Sequence, residues 1–88
     1  MKGAARLIIE GTIISKEPGL TAVFGGVEQP YVRCMIARLD NPEIHAEARV
    51  VGRSDIPVPV GGVVKLEVTR TVTDRRAGVV RFDCRLIE

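Results

Sequence analysis

The chain is written in runs of alternating apolar and polar residues, and the clearest runs from Val63 to Ile87. In its first half Val64, Leu66 and Val68 share one parity, and Lys65, Glu67 and Thr69 the other. In its second half Val80, Phe82, Cys84 and Leu86 oppose Arg81, Asp83 and Arg85. Successive side chains of an extended backbone point to opposite sides, so this alternation predicts strands with one buried face. Between the halves lies Thr73-Asp74-Arg75-Arg76-Ala77-Gly78, where Asp74 can bond its own backbone and Gly78 can take positive φ. The pattern predicts an antiparallel hairpin with a greasy face, a charged face and a twin-arginine tip.

Upstream, Arg6 to Lys16 is strongly β-prone but apolar on both parities, with Leu7, Ile9 and Ile13 on one and Ile8 and Ile14 on the other. Such a strand is either central or curled, and Gly11 in its middle permits a sharp coil or a bulge. Glu17 to Gln29, with Pro18, Gly19 and Gly25-Gly26, reads as a loop or ragged hairpin extension. Within it Phe24 is either folded back or held out toward a ligand. Pro30 to Asp40 is the second predicted strand, with Val32, Cys34 and Ile36 inward against Tyr31, Arg33 and Met35. Arg38 falls on the parity of Val32, and a bulge near Ile36-Ala37 is expected to return it to the Tyr31/Arg33 face. Asn41-Pro42 signals a turn. Glu43 to Gly52 follows as a third strand, with Ile44, Ala46, Ala48 and Val50 inward and His45, Glu47, Arg49 and Val51 outward.

Arg53 to Gly62 holds Pro57 and Pro59, two apart, which leaves no regular ladder for a helix. The expectation is therefore all-β: a small five-stranded Greek-key barrel, little or no helix, with a long first strand bent at a glycine and serving both halves. Its 88 residues suffice for a single domain, 1–88, with one modest core.

Charge sharpens this picture more than composition does. The formal net charge is only +2, yet ten of the thirteen cations are arginine, the residue suited to bidentate phosphate contacts and to stacking on bases. Cys34 and Cys84 lie in apolar strand runs and read as small buried hydrophobes of a reducing compartment. No apolar segment approaches the roughly 18 residues a membrane helix needs, and Met1-Lys2-Gly3-Ala4-Ala5-Arg6 lacks a signal peptide's apolar stretch. A cytoplasmic protein without a membrane partner is expected.

Catalysis is hard to build from these residues. His45 is the only histidine, and no nucleophile near it in sequence forms a dyad. One histidine and two distant cysteines fall short of a tetrahedral metal site, and Gly25-Gly26 and Gly61-Gly62 lack the lysine and serine of a phosphate loop. No enzyme, cofactor or metal is predicted. What remains is the polar face: Arg33, Arg38, Arg49, Lys65, Arg81 and Arg85 project outward, Arg75 and Arg76 cap the last hairpin, and Tyr31 and Phe24 supply aromatic surface. Cations interleaved with an aromatic can track a single strand and stack its bases. Glu47, Glu67 and Asp83 share that face and either dilute the charge or hold the arginines as cross-strand partners.

With these residues in place, the chain resembles the OB-fold single-stranded-DNA-binding proteins of bacterial, primosomal or phage-encoded type. Ile9-Glu10-Gly11-Thr12-Ile13-Ile14 with Lys16-Glu17-Pro18 is similar to that family's opening strand and first loop. Pro30 to Arg38 resembles its second strand, Val60 to Leu66 its glycine-led fourth, and Thr73 to Leu86 its last hairpin. The resemblance implies single-stranded DNA or RNA bound across strands 2, 3 and 5 between two hairpin loops, by a homodimer or higher homo-oligomer. The chain departs from the family in having few aromatics and in ending at Leu86-Ile87-Glu88 without the acidic tail of the housekeeping members. A short, specialised binder is thus expected rather than the main DNA replication protein. An accessory barrel that docks protein or an acyl carrier is the competing expectation, with Val51, Val58, Val60 and Val79 as its apolar edge.

Overall fold

Five strands account for most of the described chain: β1 (Leu7–Phe24), β2 (Val27–Arg38), β3 (His45–Val51), β4 (Val63–Asp74) and β5 (Val79–Leu86). The computed structural model describes residues 7–74 and 79–87, and of residues 74, 79 and 80 it describes the backbone. The strands close in the order β1-β2-β3-β5-β4, antiparallel except for β3 beside β5. That is an all-β barrel of OB type, without a helix among the described residues.

The apolar parities point where the alternation placed them. Val32, Cys34, Ile36, Ala48, Val50, Val64, Leu66 and Cys84 form the core with Ile13, and Phe82 packs against it half-buried. Ile56 joins this core from the proline-containing loop after β3, so one isoleucine on an irregular segment fills the barrel there. The loop is tied to β1. Lys16 donates to the carbonyls of Ile56 and Val58 at 3.3 and 3.1 Å and lies 3.2 Å from Asp55. The Ile56 N–H and the Lys16 ammonium together hold the Asp55 carboxyl below its ordinary range.

The two apolar parities of β1 have a geometric explanation. Its first half pairs with β4 (Leu7↔Val68 to Thr12↔Val63), and from Gly11 onward it pairs with β2. Gly11 sits where both pairings overlap, facing Arg38 on one side and Val64 on the other. A bulge follows at Ile14, between the pairs Ile13↔Ile36 and Ser15↔Met35, and turns Ile14 out to solvent.

Several expectations are corrected here. Of the two readings of Glu17 to Gln29, the ragged hairpin extension is the one found and the loop is not: β1 runs on to Phe24 with a register shift between Glu17 and Leu20, and β2 begins at Val27, joined by Gly25-Gly26 alone. Both glycines have positive φ (61° and 79°), the backbone of the tight hairpin turn whose twist matches that of its strands. The bulge expected near Ile36-Ala37 is absent, since β2 pairs with β3 without a slip from Tyr31↔Val51 to Ala37↔His45. Arg38 escapes the interior because β2 ends there, at the mouth of the barrel. The third strand starts at His45, which leaves Ile44 outside it and 43% exposed.

Both thiols are fully buried. Burial raises the Cys34 thiol against the pull of the Lys16 ammonium, and burial aided by Asp83 and Cys34 pushes Cys84 up to about 12. Above the ordinary thiol range the unfolded chain releases a proton that folded Cys84 keeps, so stability falls as pH rises from about 8.5 toward 12. The loss for a fully shifted thiol is about 1.4 kcal/mol per pH unit. Urea midpoints measured for the native chain and for Cys84→Ala are expected to converge across this window. A gap independent of pH would contradict the burial.

Candidate nucleic-acid interface

On the outside of the barrel, strand register sets the chemistry. Arg33 of β2 faces Glu17 of β1 on one side and Arg49 of β3 on the other, and Arg49 faces Asp83 of β5. Asp83 in turn faces Arg70 of β4. One charged row thus crosses all five strands: Glu17, Arg33, Arg49, Asp83, Arg70. A second row places Glu47 between Met35 and Arg81, and Glu67 faces Arg85 across β4 and β5.

Four ion pairs are therefore made directly between register partners. Arg33 donates to Glu17 at 3.2 Å, Arg85 to Glu67 at 2.7 Å and Arg49 to Asp83 at 2.8 Å. Arg81 Nε lies 2.9 Å from Glu47 Oε2 without the alignment of a hydrogen bond. The exposed Arg33–Glu17 contact contributes at most about 1 kcal/mol and opens readily to a competing anion. Arg49–Asp83 differs, because Asp83 is buried and Arg49 largely so. Like charges opposite one another are unfavourable, and Arg33 and Arg49 resolve this by leaning to opposite sides, toward Glu17 and Asp83.

Tyr31 is a correction. Its strand position faces outward, yet the residue is only 7% exposed. Phe24 folds back and meets it edge-on, centroids 5.5 Å apart, while the Arg49 guanidinium lies 4.9 Å from the Phe24 centroid and 5.9 Å from that of Tyr31. The aromatic pair is a support for Arg49 rather than an open stacking platform.

Of the other predicted residues, Lys65 is exposed on β4 opposite Glu10, with no ion pair to a described residue. Arg38 is paired with Asp40, its Nε 2.9 Å from Oδ1, and stands at the barrel mouth away from the charged row. Arg75 and Arg76 lie outside the described residues. Of the apolar edge expected for docking, Val58 packs against the core, Val51 is half-buried and Val60 is exposed, and the side chain of Val79 is not described.

Asp83 holds Arg49 as one of the cross-strand partners expected on this face, whereas Arg70 was not legible as a site residue. Arg70 shares the parity of Val68 and Val72, but Thr69 is bulged between Val68↔Cys84 and Arg70↔Asp83. The Thr69 hydroxyl pins that bulge by donating to the Asp83 carbonyl at 3.0 Å. The extra residue turns Arg70 outward into the row. An arginine set among strand valines was the available signal.

A small recess of about 260 Å³ at the β1 bulge is lined by Lys16, Cys34, Arg33 and Glu47. Among the described residues no three His, Cys, Asp or Glu side chains converge as a metal site, and no helix is long and apolar enough to cross a membrane. Comparison with known proteins finds no matching family model, no matching curated protein and no matching solved structure.

Proposed function

We propose that the chain is a non-catalytic binding protein for single-stranded nucleic acid, DNA in the first instance, and that the strand lies across β2, β3, β5 and β4. The observation that carries this reading is the row Arg33, Arg49, Asp83, Arg70 on the outside of an OB-type barrel. The face bounded by β2, β3 and the hairpins β1–β2 and β4–β5 is where this architecture takes oligonucleotides. Exposed Arg70 and Lys65 are available to phosphates directly, and Arg33 becomes available when a phosphate displaces the exposed Glu17 carboxylate. Arg49, its guanidinium held beside Phe24 and Tyr31, offers a planar cation for a base in place of an aromatic ring.

Binding of this kind is weighted toward electrostatics. A fluorescence-anisotropy titration with a single-stranded oligonucleotide at about 50 mM salt is expected to show log affinity falling linearly with log salt. Replacing Arg33 and Arg70 together by alanine is expected to weaken binding at least tenfold and to reduce the slope by about 1.4, two phosphate contacts' worth on a single strand. No binding by the native chain, or an unchanged slope in the double variant, would remove the reading.

A further inference from the structure

Of the four carboxylates that hold arginines on this face, Asp83, Glu67 and Glu47 are largely enclosed. Glu17 is the exception, with 58% of its side chain exposed, beside an Arg33 that is 48% exposed. The two meet through one pair of atoms, Arg33 Nη1 donating to Glu17 Oε1 at 3.2 Å. Glu17 Oε2 and the other guanidinium N–H groups of Arg33 have no hydrogen-bond partner among the described residues. An open carboxylate repels a phosphate chain, and it costs affinity unless the ligand brings donors to it. Its place is also fixed. A register shift separates Glu17 from Leu20, and between them the Gly19 N–H donates to the Ser54 carbonyl at 2.9 Å.

The pair borders the recess of about 260 Å³ at the β1 bulge, which has room for one base. The other charged groups lining it are already engaged. Lys16 gives its ammonium to the Ile56 and Val58 carbonyls and to Asp55, and Glu47 is held by Arg81. Ser15 and Met35 complete the wall toward β1 and β2. A recess whose open polar groups are one carboxylate and one guanidinium suits the neutral edge of a base better than a phosphate.

The order of these groups narrows the base. From the guanidinium outward the pair presents an N–H donor and then two acceptors, Oε1 and Oε2. Cytosine's pairing edge has the same order: amino group, ring nitrogen, carbonyl. Guanine is its complement, since O6 accepts while the ring N–H and the amino group both donate. Each other base satisfies at most two of the three positions. The third then sets an acceptor against a carboxylate oxygen or leaves Oε2 unmet.

We propose that Glu17 and Arg33 read one unpaired guanine, seated in the recess with O6 on Arg33 and its two adjacent donors on Glu17. This rests on the single-strand reading above and adds a base preference to it. With any other base in the recess Glu17 is unmatched, and a phosphate takes Arg33 instead.

The test is an anisotropy titration of the full native chain with four oligonucleotides of equal length, each repeating two thymines and a third base. The third base is thymine, guanine, hypoxanthine (guanine without its amino group) or 2-aminopurine (the amino group without O6 and the ring N–H). The guanine repeat is expected to bind about fivefold more tightly than the thymine one, the low end for a bidentate contact because both side chains stand in water. The hypoxanthine and 2-aminopurine repeats are expected to lose most of that gain. Glu17→Gln alters an exposed side chain; it is expected to bind the thymine repeat more tightly, free of the repelling charge, and the guanine repeat no better than thymine. Four equal affinities, hypoxanthine equal to guanine, or a guanine preference that survives in Glu17→Gln would overturn the base contact and leave the single-strand reading in place. Failure of the native chain to bind any of the four would overturn both.

Discussion

A Gly11→Ala chain is expected to lose about 3 kcal/mol of stability, the upper end for over-packing a well-filled site and a large share of what a domain of this size possesses. Gly11 is buried, and its backbone is paired on both edges, to β2 and to β4. A Cβ added there would overlap both Cγ2 of Ile36 and the carbonyl oxygen of Ala37. A side chain can rotate away, but Ala37 is held in register with Thr12 and His45, so the clash can be relieved only by parting strands. The lost freedom of the unfolded glycine, which favours alanine by up to about 1 kcal/mol elsewhere, is too small to compensate. Urea denaturation measures this directly. A change smaller than about 0.5 kcal/mol would mean that β1 and β2 approach less closely than described.

The second large effect belongs to Asp83. Asp83→Ala removes the partner of the largely buried Arg49, and stranding one member of such a pair costs about 3 to 5 kcal/mol when both are fully enclosed. Arg49 retains some exposure, which lets water reach its charge, so about 2 to 3 kcal/mol is the expected loss. Asp83→Asn keeps the shape and an acceptor for Arg49 Nε, and is expected to lose less. The two substitutions agree on binding, however: both leave the row with a larger positive surplus. On the proposed function, Asp83→Asn is expected to bind single strands more tightly than the native chain and with a steeper salt dependence. Equal stability in all three proteins would mean that Arg49 needs no buried partner. Tighter binding confined to double strands would count against a single-strand face.

What could be read ahead of the structure, and what could not, separates along one line. The β4–β5 hairpin was legible because Val64, Leu66 and Val68 in the first half of β4, and Phe82, Cys84 and Leu86 in β5, alternate with polar neighbours, and local alternation is all that strand prediction requires. Breaks in alternation were legible as breaks but not as causes. Arg38 and Arg70 both sit on an apolar parity, yet one is freed by the end of its strand and the other by a bulge at Thr69. The Asn41-Pro42 turn signal lies close after Arg38 and marks the end of its strand, whereas no turn residue beside Arg70 marks the bulge. The site suffered for the same reason. Tyr31 lies on the outward parity as expected, but whether an outward ring meets water depends on Phe24 and Arg49, brought there by the length of the β1–β2 hairpin and the register of β3. The charged row depends on β3 lying parallel to β5, a pairing that no local pattern encodes.

The division of β1 between two partners also orders events in time. Its second half meets β2 through a two-residue turn, so that hairpin can form as soon as the chain through Arg38 has been synthesised. Its first half has no partner until Val63–Val68 follows, and Leu7 waits for Val68 across some sixty intervening residues. Leu7, Ile9 and the backbone beside them therefore stay without their partner strand until most of the chain has been made. The strand that later joins the two halves of the barrel is, until then, the part of the chain most open to pairing with a neighbour.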